Sequence, residues 1–153
     1  YNPGPEYRKK WATLDVAQAN SMLDKLGLDK KDSEGYRLRT DGKATFYGVY
    51  FDTGKAEVKP NSKAQLDEIG KMLKAQPTLQ VFVVGHTDGQ GALEANLQLS
   101  QQRAQAVVNA LAQQQGIDAR RLMARGVASL APLASNSTDE GRARNRRVEL
   151  VLR

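Results

Sequence analysis

The chain has 153 residues, of which 40% are hydrophobic and 26% charged, as is ordinary for a globular protein. This length predicts one domain, or one domain with an appended segment. No apolar stretch approaches the ~20 residues that a membrane-spanning helix needs. The absence of cysteine excludes disulfides and thiolate chemistry. We expect any signal peptide or membrane anchor to lie upstream of Tyr1.

The net charge of +6 is unevenly distributed along the chain. Residues 118–153 contain eight arginines and four acidic residues, a local net charge of +4. A basic region of this kind is compatible with nucleic acid, a membrane surface or another anionic polymer as partner, and equally with a solvated arginine-rich face. Composition alone leaves these alternatives open.

Residues 1–44 differ in pattern from the rest and are interpreted as an N-terminal linker, or the tail of a preceding module, with at most one helix. They begin with the turn-rich Asn2–Pro5 and end near the polar loop Asp29–Gly35. Between them lies a short amphipathic stretch that Gly27 can end, with the apolar residues Leu14, Val16, Met22, Leu23 and Leu26. The main domain is therefore predicted to span residues 45–153.

Strands and helices alternate in the predicted main domain. The strands show β-branched or continuous apolar runs, whereas the helices show apolar residues at helical spacing. Ser62 and Gln65 have the spacing of a capping box, Thr138 is suited to cap a short helix, and Gly116 is suited to end the long helix. The predicted elements are strand 45–51, helix 62–76, strand 79–84, helix 91–115, strand 122–127, helix 138–143 and strand 147–152. This β-α-β-α-β-(α)-β order predicts an α/β sandwich, that is, an α+β fold with a mixed sheet and helices packed on one face.

Asp88, Asn96 and Arg103 form the first candidate site. Asp88 follows a buried strand, where ligands of such folds gather. Asn96 and Arg103 are seven residues apart and fall on nearly the same helix face. Together they suit a ligand that carries both an ammonium and a carboxylate. Asp88 would accept hydrogen bonds from the ammonium, and Arg103 would bind the carboxylate bidentately. A plain Asp88–Arg103 salt bridge between loop and helix is the alternative, and spacing does not decide between them.

Other chemistry is poorly represented in the sequence. His86 is the only histidine, so no metal site is predicted, and a structural role is favoured over a nucleophile pair with Ser100. The run Arg142–Arg147 is the densest basic cluster, but it lacks interleaved aromatic residues for base stacking, so nucleic acid is not the expected partner. No cofactor and no catalytic residues are predicted.

Several motifs in fixed order resemble the OmpA-like C-terminal domain, the peptidoglycan-associating module of Gram-negative envelopes. The resemblance covers about residues 45–153. It rests on Phe51–Lys55, Gly85–Asp88 with Gly91, Asn96–Ala104, Gly116–Ile117, Arg125–Gly126, Pro132, Asn136, Gly141–Arg142 and Asn145–Glu149.

The resemblance implies a non-enzymatic periplasmic domain, attached to the outer membrane, that binds peptidoglycan through the diaminopimelate of the stem peptide. By motif position, Asp88 would meet the ammonium and Arg103 the carboxylate, whereas Thr87 and Asn96 would line the site. Asp52 and Thr53 would border the pocket, and Arg146 or Arg147 would add positive charge or serve the last strand. The loop 127–132 departs from the family pattern, which puts the pocket rim and the preferred peptide in question.

Four functions remain to be distinguished. The first is a tether between cell wall and outer membrane or envelope complex, and the second is the wall-binding domain of a motor stator or secretion system. Upstream sequence would separate these two, because a transmembrane helix favours a stator and a lipobox or β-barrel favours a tether. A wall hydrolase would need more than His86. A nucleic-acid binder would show steep salt dependence. Homodimerisation stays open.

Overall fold

The elements alternate along the chain largely as predicted. A computed structural model describes the backbone of residues 34–153 and the side chains of residues 37–153. Short 3₁₀ turns at Pro60–Ser62 and Ala119–Arg121 precede the second helix and the third strand. The elements are α1 (Glu34–Asp41), β1 (Lys43–Phe46), α2 (Lys63–Ala75), β2 (Val81–His86), α3 (Leu93–Gln115), β3 (Leu122–Ala128), α4 (Asp139–Asn145) and β4 (Val148–Leu152).

The four strands form one mixed sheet in the order β1-β4-β2-β3. β4 runs antiparallel to both of its neighbours, with Val148 opposite Phe46 and Leu150 opposite Val83. β2 and β3 are parallel, and the long helix α3 connects them, as a parallel pair requires. This confirms the predicted fold class.

Alternation along the strands separates a core face from an open face. In β2, Val81 and Val83 are fully buried, whereas Phe82 between them is only partly buried. The core face packs against α2 and α3, from which Ile69 and Leu111 are fully buried. The hydrophobic effect therefore fixes the register, since a slip by one residue would turn the apolar set toward solvent.

Two glycines allow α3 to lie very close to the carboxyl ends of β2 and β3. A Cβ atom at Gly85 would overlap the carbonyl oxygen of Ser100, and one at Gly126 would overlap the backbone nitrogen of Gln101. Glycine at both positions thus brings the N-terminal half of α3 against the strand ends. That half of the helix carries Asn96.

Local signals for two helix ends are confirmed. Gly116 adopts the left-handed conformation after α3, with φ of 68°. Thr138 caps α4 by accepting a hydrogen bond from the Gly141 N–H at 3.0 Å. α4 therefore starts at a defined point, and its end places the following arginines at the start of β4.

The prediction of a strand over residues 45–51 is wrong in its extent. β1 covers Lys43–Phe46, and beyond it Phe51 makes only an isolated bridge with Val58. The predicted capping box is also wrong, because Ser62 makes no side-chain cap to α2. Its hydroxyl instead accepts the Tyr50 N–H at 2.8 Å. Residues 47–54 therefore form an irregular segment that is held by the turn before α2.

Helix α1 begins within the predicted polar loop, so Glu34 and Gly35 are helical. Leu38 of α1 is fully buried in the core. The boundary between residues 44 and 45 remains a prediction. Residues 1–33 of the proposed linker, which include the amphipathic stretch, lie outside the described residues. Among the helices of residues 34–153, none is both long and apolar enough to cross a membrane.

Candidate functional site

A cavity of about 830 Å³ opens at the carboxyl end of β2, where the chain leaves the sheet. Its walls come from the irregular segment 47–54, the loop after β2, the N-terminal half of α3 and the junction of α4 with β4. The lining residues are Tyr47, Val49, Tyr50, Phe51, Thr53, Gly54, Gly85, His86, Thr87, Asp88, Gln90, Asn96, Leu99, Arg103, Ala143, Arg146, Arg147 and Val148. A volume of this size lies within the usual range for ligand pockets, ~300–1,000 Å³.

Asp88 lies at the inner wall of the cavity, with its side chain 12% exposed. Its Oδ1 accepts the N–H of Gln90 at 3.0 Å. Its Oδ2 accepts a hydrogen bond from Nη1 of Arg146 at 2.7 Å. Asp88 therefore forms its ion pair with Arg146, and the predicted alternative of a salt bridge between Asp88 and Arg103 is wrong.

Hydrogen bonds hold the loop that carries Asp88. The Thr87 N–H donates to the Ala128 carbonyl at 2.9 Å, and the Gly89 N–H donates to Oδ1 of Asn136 at 3.0 Å. Nδ2 of Asn96 donates to the Gln90 carbonyl at 2.7 Å. The carboxylate is therefore positioned before any ligand arrives, which reduces the ordering cost of binding.

Arg103 lies on α3, two turns after Asn96, and is held by the irregular segment. Its Nε donates to the Lys55 carbonyl at 2.9 Å and its Nη2 to the Asp52 carbonyl at 3.2 Å. The guanidinium lies 4.9 Å from the ring centroid of Phe51, a cation–π distance. Since two of its five N–H donors are used, three remain for an anionic ligand.

Electrostatics link Arg103 to the other charges of the cavity. Burial lowers the pKa of Arg103, the positive charge of Arg146 lowers it further, and the negative charge of Asp88 opposes both. The guanidinium nevertheless stays protonated at any physiological pH. An added carboxylate would therefore relieve the repulsion between the two arginines.

The predicted site residues come together with one exception. Thr53, Thr87, Asp88, Asn96, Arg103 and Arg146 all line the same cavity. The exception is Asp52, whose carboxylate forms an ion pair with Lys59 at 3.0 Å and whose carbonyl holds Arg103. The proximity of the six is a structural finding, whereas their role in binding remains a proposal.

A buried ionic group lies beneath the cavity. Nε of Arg147 donates to Oε1 of Glu149 at 2.9 Å, and Nε2 of His86 lies 3.2 Å from Oε2 of the same carboxylate. Burial alone would raise the pKa of Glu149, but His86 and Arg147 outweigh it and lower the pKa to about 2. His86 is thus placed in the packed interior, while the hydroxyl of Ser100 bonds to the backbone of Leu97 and Ala128.

The basic run Arg142–Arg147 is not one continuous surface. Arg142 pairs with Asp139 and donates to the Asn136 carbonyl. Arg146 pairs with Asp88, Arg147 is buried, and Arg144 is exposed. Three of the four guanidiniums are therefore engaged within the domain, which argues against a phosphate-binding stripe.

Sequence reasoning missed the aromatic wall of the cavity. Tyr47, Tyr50 and Phe51 were assigned to a strand, but they lie in the irregular segment and face the site. Their density over five residues was the available signal. Among residues 37–153, no three His, Cys, Asp or Glu side chains lie close enough together to form a metal-binding group.

The fold and the site define a small α+β domain with a preformed cavity that offers a carboxylate and two guanidiniums. Residues 50–146 match the sequence model of the OmpA family, and the chain belongs to that family.

Three similar proteins illustrate the relationship. The chain is 45% identical over 104 residues to the probable lipoprotein YiaD of Escherichia coli (strain K12), a match that covers 68% of this chain and 47% of that protein. The chain thus spans about half the length of this curated relative. The crystal structure of the peptidoglycan-associated lipoprotein from Burkholderia pseudomallei superposes with a TM-score of 0.64 at 29% identity, covering 82% of this chain and 98% of that one. The structure of the cell wall anchor of the T6SS from Pseudomonas aeruginosa superposes with a TM-score of 0.61 at 31% identity, covering 76% of this chain and 90% of that one.

Proposed function

We propose that this domain binds peptidoglycan non-covalently through the diaminopimelate of the stem peptide, and so tethers the outer membrane or an envelope complex to the cell wall. The observation that carries the proposal is the placement of Asp88 and Arg103 in one cavity. The far end of diaminopimelate bears an ammonium and a carboxylate. The ammonium would bind Asp88, and the carboxylate would bind the remaining donors of Arg103.

The geometry supports this assignment because the two charged groups are fixed independently. The loop hydrogen bonds orient Asp88, whereas two carbonyls and the Phe51 ring orient Arg103. A fixed distance between an anion and a cation favours a ligand with the matching pair of charges. Single charges, as on a lysine side chain, would satisfy only half of the site.

The relatives support the same function and a periplasmic location in the cell envelope. Two of the similar structures are described, respectively, as a peptidoglycan-associated lipoprotein and as a cell wall anchor. Wall binding needs no bond to be made or broken, so we propose a binding domain without turnover.

Co-sedimentation with purified diaminopimelate-type peptidoglycan tests the proposal. Wild type, Asp88→Asn and Arg103→Ala would be compared at low and moderate salt, with Arg144→Met as a charge-changing control outside the cavity. We expect wild type and the control to pellet at both salts. Truncating one partner of a desolvated charge pair costs ~2–5 kcal/mol, a loss of about 30-fold or more in affinity.

Three outcomes would each contradict a part of this proposal. If all four proteins pellet at low salt and are released at moderate salt, the basic surface acts as a bulk polycation and the cavity is not the site. If wild type binds with unchanged affinity to peptidoglycan in which the carboxylate at the far end of diaminopimelate is amidated, the proposed contact with Arg103 is wrong. Release of soluble fragments from the wall would contradict the absence of turnover.

A second candidate is the same wall-binding domain within a secretion system or motor stator. The similarity to the cell wall anchor of the T6SS, which covers 90% of that chain, favours it specifically. The chemistry of the cavity is the same in both cases. The natural sequence upstream of Tyr1 separates them, since a transmembrane helix there would favour a stator and a lipid-attachment motif would favour a tether.

A further inference from the structure

The carboxylate proposed to receive the ligand's ammonium already holds a cation. Nη1 of Arg146 donates a hydrogen bond to Oδ2 of Asp88 at 2.7 Å, and the Gln90 N–H donates to Oδ1 at 3.0 Å. Both oxygens of Asp88 are thus engaged in the ligand-free protein. Because Arg146 already compensates the charge of Asp88, a ligand ammonium that approaches this carboxylate meets the repulsion of the guanidinium.

Arg146 is held far less firmly than Arg103. Two carbonyls and an aromatic ring fix Arg103, as described above. The Arg146 side chain is 50% exposed, and within residues 37–153 its guanidinium has Asp88 as its single hydrogen-bond partner. When an ammonium competes for Asp88, Arg146 is therefore the group that moves.

The charge balance of the cavity shows what the displaced guanidinium would need. Asp88, Arg103 and Arg146 sum to a charge of +1, while Arg147 is neutralised by its buried partner Glu149. A ligand with one ammonium and one carboxylate would satisfy Asp88 and Arg103 but leave Arg146 without a counter-ion. A second carboxylate on the ligand would supply one.

Building on the function proposed above, we propose that Arg146 is the resident counter-ion of Asp88 and, once the ligand's ammonium displaces it, forms a second carboxylate subsite. The site then selects ligands that carry one ammonium and two carboxylates. Diaminopimelate acylated at one amine carries this set of charges. The ion pair of the free protein also disfavours ligands with an ammonium alone, because such ligands break it without replacing it.

NMR chemical-shift titration with two small probes tests this inference. One probe is meso-diaminopimelate acetylated at one amine, and the other is the same molecule amidated at the carboxylate beside the acetylated amine. We expect wild type to bind the first about tenfold more tightly, the value of one charge-assisted hydrogen-bonding interaction of ~1.5 kcal/mol. In Arg146→Met the ratio of the two dissociation constants should fall close to one, whereas Arg144→Met should retain the wild-type ratio.

The outcomes separate this inference from the proposed function. If Arg146→Met keeps the tenfold ratio, the second subsite is not Arg146 and the inference fails alone. If wild type binds neither probe, or if Asp88→Asn binds both as well as wild type does, the proposed function fails and the inference with it.

A readout on the wild-type protein makes the result independent of the variant's folding. The Nε–H resonance of Arg146 should shift to a new position with the dicarboxylate probe, and move toward its solvent-exposed value with the amidated probe. An unchanged resonance with both probes would mean that Arg146 stays on Asp88, which would overturn the proposed displacement.

Discussion

Arg146 and Arg147 are neighbours in the sequence, but they belong to ionic groups of opposite character. The Arg146 side chain is 50% exposed and pairs with Asp88 at the cavity wall. The Arg147 side chain is 2% exposed and donates to Glu149 and to the carbonyls of Asn145 and Ala131. The two arginines are adjacent in the chain, yet one guanidinium lies in the cavity and the other lies in the interior.

The difference shows how the same residue type serves binding in one place and structure in the other. A buried charge is tolerated when its donors are satisfied, and the partners of Arg147 lie within the domain. A charge with spare donors at a cavity is available to a ligand. Stability should therefore depend on Arg147 and its partners, and binding should depend on Asp88, Arg103 and Arg146.

The largest expected effect comes from breaking the buried group. Arg147→Met would leave Glu149 in the interior without the guanidinium that pairs with it, so we expect the free energy of unfolding to fall by about 4 kcal/mol. Urea denaturation measures it, with the exposed Arg144→Met as the control that should change little. A loss below about 1 kcal/mol would show that the buried group is not structural.

Acid should weaken the same group. The pKa of Glu149 is about 2 in the folded protein, below its ordinary 4.5. A carboxyl group with a depressed folded pKa contributes stability above pH 4.5, and this contribution is lost as the pH falls toward 2. Glu149→Gln should lower the free energy of unfolding at pH 7 by about 2 kcal/mol.

Denaturation curves at several pH values would follow this loss. The variant should show a flatter decline than wild type between pH 4.5 and pH 2, because its residue 149 does not titrate. Parallel curves for the two proteins would contradict the assigned pKa. Arg144→Met again serves as the control, since it changes one charge without touching the buried group.

An intermediate effect is expected from loosening the loop that carries Asp88. Asn96→Ala removes the hydrogen bond of Nδ2 to the Gln90 carbonyl, and Gln90 in turn donates to Asp88. We expect peptidoglycan affinity to fall about fivefold, the equivalent of one hydrogen bond of ~1 kcal/mol. Gln98→Ala, on the exposed side of the same helix, is the matched control and should bind normally. Equal losses in both variants would point to the helix as a whole.

The smallest expected effect sharpens the contrast with Arg147. Arg146→Met removes a half-exposed ion pair, and such pairs contribute ~0–1 kcal/mol. We expect the free energy of unfolding to change by less than about 1 kcal/mol, as measured in the same urea series. A loss as large as that of Arg147→Met would show that the cavity ion pair is needed for folding and would erase the distinction between the two groups.

Local patterns predicted several elements because their causes are local. The left-handed Gly116 ends α3, and the Thr138 hydroxyl caps α4, each through atoms a few residues away. The continuous apolar run Leu79–Val84 likewise indicated a strand without knowledge of its neighbours, and β2 covers Val81–His86. These signals also placed Asp88 directly after a buried strand.

The segment 47–51 shows where local pattern failed. Its aromatic and β-branched residues favour a strand, but side chains of α2 and of the 3₁₀ turn before it accept its backbone N–H groups. Oε1 of Gln65 accepts the Gly48 N–H at 3.2 Å, and the Ser62 hydroxyl accepts the Tyr50 N–H at 2.8 Å. Competition from distant hydrogen-bond partners thus converted an apparent strand into an aromatic cavity wall.

The sequence by itself determined the fold class and identified six of the polar and charged residues that line the cavity, because hydrophobic periodicity, turn residues and ordered motifs act over short distances. Only the tertiary structure decided the pairing of charges. Asp88 met Arg146, 58 residues away, in place of Arg103 on the adjoining helix. The reason is geometric: the carbonyls of Asp52 and Lys55 hold Arg103 from the other side of the cavity, while the end of α4 brings Arg146 within reach of the carboxylate.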